Sequence, residues 1–344
     1  IQFGQEGASN AGTITMNGAG GATVLQMGYA GNVGNQPLYQ WTNSGTINVT
    51  DTELLLGGYF TQADVGTINR SGGTVKLNGF LENSGQTLDI TAGSPLDGLQ
   101  MAGGTIHSGT VLGNAAANLF TTDNSSGTLH GVTLHGNLDV TGTYASAAFV
   151  NGLSVKDSSG TNPGVINVTG FGAYLYSQGT QTLDNATVHL GGSAGPGYIY
   201  SESGTLTLGA DLQVLADGVG SYGQLYGAPI INEGSIAFTN GHYNNYINPS
   251  EFTNKGTITV APATALYITP TTLSNTAAGS ITGDDGSFIQ FGGAAASNAG
   301  MITMNGAGGA TVLQMGYAGN PGNNPYYQWQ NTGTINVTDT DLLL

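Results

Sequence analysis

The residues able to do acid–base or metal chemistry are few and scattered. Asp284-Asp285 is the only acidic doublet in the chain. On a strand its two carboxyls would point to opposite faces, whereas glycoside hydrolysis needs two carboxyls at a set separation across one bond. The doublet therefore reads as a solvated turn, with a calcium or catalytic role as the alternative. His107, His130 and His135 fall close together in GGTIHSG and GTLHGVTLHG, while His189 and His242 stand alone. Neutral imidazoles bind metals, but three histidines on short strands also read as outward-facing β positions. A lyase needs a base and cations to neutralise a uronate, and only Arg70, Lys76, Lys156 and Lys255 are basic. The cluster Gly18-Ala19-Gly20-Gly21 is followed by no Lys-Ser/Thr pair and opens no helix, so it makes turns rather than a phosphate cradle. No cofactor and no catalytic activity are expected.

Recognition by stacking is better represented. Tyr29, Tyr39 and Trp41 lie among GNVGNQP turns, and Tyr317, Tyr326, Tyr327 and Trp329 among GNPGNNP turns. Exposed Tyr and Trp beside Asn and Gly can stack on sugar rings or on another chain. The same residues could equally pack against the side of the fold.

Composition narrows the partners. The 344 residues include 59 Gly and no Cys, are 39% hydrophobic, and carry a formal charge of -16. With four basic side chains, nucleic acid and anionic lipid are poor partners. No apolar run approaches the roughly 20 residues that span a bilayer, so membrane insertion is not expected. The first residues show no basic region followed by an apolar run.

The elements that must position these residues come from repetition. Residues 1–56 return as 289–344 with ten substitutions in 56 positions. The chain thus reads as one large repeat, 1–288, followed by the start of its next copy, 289–344, in a continuous solenoid cut from a longer array. A smaller unit recurs within it: Asn43-Ser44-Gly45-Thr46-Ile47, Asn254-Lys255-Gly256-Thr257-Ile258 and Asn331-Thr332-Gly333-Thr334-Ile335 each open a short apolar run. Looser forms put Gly at 45, 66, 85, 104 and 127. Short β-branched runs broken by Gly and Asn follow a period of two rather than 3.6. The expected fold is all-β, a right-handed parallel β-helix with coils of about 19–24 residues. Stacking should superpose Ile47, Ile68, Leu88 and Ile106, with Gly easing the corner conformation and Asn bonding its neighbours up the stack. Tyr174, Tyr198, Tyr222 and Tyr246, each 24 residues apart, form a second expected ladder. The spans 12–45 and 300–333 exceed a coil, which predicts a side excursion in each large repeat. About 13 coils at roughly 4.8 Å each would advance about 60 Å per large repeat, as a rod.

The segments GTINVTDTELLL, SGGTVKLNGFLENSGQTLDI and GTLHGVTLHGNLDVTG resemble the repeats of giant bacterial surface proteins of the filamentous haemagglutinin and autotransporter-passenger type. That resemblance implies an extracellular, cell-surface β-helical stalk serving adhesion, biofilm or filament formation. Its expected partners are further copies of the repeat, in cis or end to end, and glycans or cell surfaces. The alternatives are a carbohydrate-active β-helix enzyme and, after it, an ice- or calcium-binding module, the former kind suggested by Thr-x-Thr pairs such as Thr13-Ile14-Thr15.

Overall fold

Alternating side chains on short strands cannot bury an apolar face within one turn of chain, so each turn must stack on the next. The computed structural model describes residues 1–18, 23–28, 39–114, 118–241, 244–316 and 328–344. Tyr29, Tyr317, Tyr326, Tyr327 and His242 lie outside the described residues, as does most of each expected excursion. The chain is a right-handed parallel β-solenoid of about 13 turns. It divides into two compact units, Ile1–Val140 with Ala145–Val165, and Thr141–Tyr144 with Ile166–Leu344.

In the first unit each turn visits three sheets. One stacks Gln2–Phe3, Val24–Met27, Glu53–Leu56, Val75–Leu77, Gln100–Met101, Leu119–Thr121 and Leu138–Asp139. The second stacks Tyr59–Thr61, Phe80–Glu82 and Thr105–His107 beneath the long strand Ser126–His135. The third begins with Thr13–Asn17, Thr46–Thr50 and Thr67–Ser71 in unbroken parallel register, then stops. The next strand on that side, Thr87–Asp89, pairs with Thr110–Leu112 and, among the described residues, not with Thr67–Ser71.

This interruption corrects the expected column. Ile47 lies on Ile14 and Ile68, but Leu88 pairs with Val111, and Ile106 sits between Leu81 and Leu129 in a different sheet. Two features account for the split. A one-turn helix, Gln62–Val65, is inserted before Thr67–Ser71, its start fixed by Asp64 accepting from both the amide and the hydroxyl of Thr61. Beyond Asp89, residues 90–99 form successive turns in which Ser94 N donates to Thr91 O and Asp97 N to Ser94 O. Gly93, Pro95 and Gly98 supply the turn chemistry there.

Among the described residues the second unit repeats the plan without a break. Ile236, Ile258, Ile281 and Ile302 superpose at intervals of 22, 23 and 21 residues, and each is 0–1% exposed. A fully buried side chain of this size contributes about 1.5–3 kcal/mol. The boundary between the large repeats, 288/289, falls inside the strand Phe288–Phe291. Register is equivalent in the two copies: Thr13–Asn17 pairs with Thr46–Thr50, and Met301–Asn305 with Thr334–Thr338.

Candidate functional site

The corners come first, because they set where every outward side chain stands. Gly45, Gly256 and Gly333 do not have positive φ. Their requirement is proximity: a Cβ on any of them would come within 3.0 Å of a backbone oxygen one turn away, of Gly12, Gly234 and Gly300 respectively. Freedom of φ matters elsewhere, as at Gly66, whose φ is 62°. Beside these glycines runs a line of side-chain amides. Asn232, Asn254, Asn275 and Asn298 are buried, and Nδ2 of each donates to Oδ1 of the next, at 2.8, 2.8 and 2.6 Å. Asn298 continues the line to Asn331 at 2.7 Å. In the first unit Asn10 donates to Asn43 at 2.7 Å, and Asn43 then donates to Val65 O at the end of the inserted helix.

The outward faces carry aromatic columns. In the second unit Tyr174 and Tyr198 are register partners with ring centroids 4.5 Å apart. The partner of Tyr198 on the next rung is Gln224 rather than Tyr222. Tyr222 lies before that strand and bridges Tyr198 and Tyr246 edge-on, with centroids 6.2 and 5.9 Å away. Its hydroxyl lies 3.1 Å from that of Tyr198. The column continues through Tyr246 and Tyr267 to Phe288. A parallel column, Tyr176, Tyr200 and Tyr226, is in strict register and was missed in the sequence. Its spacings of 24 and 26 residues hold the only available signal. All these rings are half-buried by one another, and burial pushes the phenols of Tyr176, Tyr198, Tyr226 and Tyr267 above their ordinary range.

In the first unit the corresponding stack is Tyr59, Phe80, His107 and His130, with centroids 5.4, 5.5 and 4.6 Å apart. His107 Nδ1 is 2.9 Å from Glu82. Burial works against the Glu82 carboxylate, but hydrogen bonds from Ser84 and His107 outweigh it and hold its pKa down. His135 belongs to a separate position, between Leu112 and Lys156. The stack brings His107 and His130 together and leaves His135 apart, and among the described residues no group of three His, Asp or Glu could hold a metal. Asp285 is engaged by backbone: its Oδ1 accepts from Ala307 N and Gly309 N at 2.8 and 2.9 Å, which lowers its pKa.

The aromatic residues singled out near the excursions divide. Trp41 is 1% exposed, donates from Nε1 to Gly57 O at 2.8 Å and packs on Phe60 at 4.9 Å; it is a packing residue. Tyr39 is 39% exposed, and Trp329, on the last described rung, is 37% exposed.

The interruption in the third sheet of the first unit opens a cleft of about 520 Å³ between Thr46–Thr50, Thr67–Ser71 and the 90–99 loop. Arg70 occupies the register position beneath Val49. It crosses to the loop, donating from Nη2 to Asp97 O at 2.5 Å and from Nη1 to Gly73 O at 3.1 Å. Compared with models of protein families, with curated proteins and with solved structures, the chain matches none of them.

Proposed function

We propose that this β-solenoid scaffold is a stretch of an extracellular, non-catalytic stalk or filament at a cell surface, with an adhesive outer face. The observation that carries the stalk reading is the equivalent register of the two copies. Each large repeat presents the same rung for the following turns to build on, so length can increase by duplication without a new interface. The adhesive reading rests on the tyrosine columns of the second unit, whose ring edges and hydroxyls offer apolar and polar contact together. Further copies in cis or end to end, and glycans or cell surfaces, are the partners this reading assigns.

Two measurements test it. A chain of several large repeats should appear in electron micrographs as a thin fibre with an axial period near 60 Å; compact particles would reject the stalk. Replacing Tyr176, Tyr200 and Tyr226 by Ser should reduce retention on cell or glycan-coated surfaces by at least about tenfold while the β-sheet circular dichroism is kept. Unchanged retention would reject the adhesive face.

A further inference from the structure

The gap between Thr67–Ser71 and Thr87–Asp89 is left as a cleft walled by Thr46–Thr50, Thr67–Ser71 and the 90–99 loop. Sequence rules fail locally where a structure serves something other than its own packing, and here an inward register position that continues Met16 and Val49 holds the only arginine of the chain. We propose that this cleft binds a short neutral oligosaccharide.

Its size and lining fit that ligand class. A volume of about 520 Å³ lies within the roughly 300–1,000 Å³ of small-molecule sites. The wall is made largely of amides and hydroxyls: Asn48, Asn69, Thr50, Ser71 and Ser94. Asn69 Nδ2 donates to Asn48 Oδ1 at 2.8 Å, which aligns two side-chain amides one rung apart. The Asn48 amide hydrogens and the Asn69 oxygen remain as donors and acceptor, the combination that adjacent sugar hydroxyls, each both donor and acceptor, can satisfy. Two polar atoms of the wall, Arg70 Nε and Ser94 Oγ, are buried without a protein partner, which marks the wall as incompletely satisfied by the chain itself.

Charge selects a neutral ligand. The charged residues lining the cleft are Arg70 and Asp97, 3.9 Å apart, so the site has no net charge, and the whole chain at -16 repels acidic glycans. The two terminal nitrogens of the guanidinium are committed to Gly73 O and Asp97 O rather than held free for a carboxylate. The Arg70–Asp97 crossing ties Thr67–Ser71 to the 90–99 loop. Without an aromatic platform in the wall, single-site affinity is weak.

The site is separate from the tyrosine columns, so its test is independent of the adhesive reading. The full chain is titrated with maltotriose, cellotriose, mannotriose and a uronate trisaccharide, read by saturation-transfer NMR and calorimetry. At least one neutral trisaccharide should bind, about tenfold or more tighter than the uronate. Asn69→Ala should weaken it about tenfold, and Ser94→Trp, which fills the cleft, should abolish it. If Ser94→Trp does not fold, Asn69→Ala and Asn48→Ala carry the test, since neither side chain belongs to the buried core. Binding to none of the panel, equal binding by wild type and folded variants, or preference for the uronate would overturn the proposal.

Discussion

A single methyl group decides whether a corner can form. At Gly256 an added Cβ meets the Gly234 carbonyl oxygen, and backbone cannot rotate aside as a side chain can. Gly256→Ala should cost about 1–3 kcal/mol, as overpacking does, read as a lowered urea midpoint with unchanged slope. Asn254 both accepts from Asn232 and donates to Asn275. Asn254→Ala should leave two buried amides short of a partner and cost about 1–3 kcal/mol for each group left unsatisfied, measured by the same titration. The sequence marked the right residues at these corners, because Asn-x-Gly-Thr-Ile recurs visibly. It did not distinguish the reasons: the glycine spacing suggested a special φ, whereas the close passage of neighbouring backbones is a property of the stack and has no local signature.

At the scale of the element, the strand period was legible in the alternation of apolar side chains, and the three-sheet turn follows from it. Register was less so. Tyr222 keeps the 24-residue interval yet stands two positions before the rung partner of Tyr198, because intervals count residues in turns as well as strands. The break after Ser71 was hidden for a similar reason: Gly85 and Gly104 keep a coil-like spacing although residues 90–99 are spent on turns. The tyrosine columns give a pH prediction. Four phenols have folded pKa values raised by burial, so their contribution is fully present below the ordinary value of 10.0 and is lost as pH rises from there toward the folded values. Phenolate absorbance should therefore lag that of free tyrosine above pH 10 and then rise together with loss of β-sheet circular dichroism. Normal titration of all sixteen tyrosines in the folded chain would contradict the packed columns.

For the whole molecule, the useful fact is that it contains two tryptophans at equivalent places in the two copies. Trp41 is covered by Gly57 and Phe60, whereas Trp329 is 37% exposed. Appending the sequence of residues 57–78 after Leu344 should bury Trp329 and move the fluorescence maximum to shorter wavelength, with Trp41→Phe used to isolate the signal. No shift would mean that the second copy does not continue as the first does. The duplication behind this prediction was plain in the sequence; the degree of cover over each indole depends on the rung above and could come only from the fold.

The missing strand contact between Ser71 and Asp89 has a mechanical side. Glu53–Leu56 and Tyr59–Thr61 stay paired with the next turn, but the third seam is open here and Arg70 supplies a lateral tie in its place. Because coupling in a stacked array passes only between nearest neighbours, this turn is joined to the next through two seams rather than three. Under tension along the stack, a joint held by two seams should part at lower force than one held by three, giving that unit a preset point of rupture.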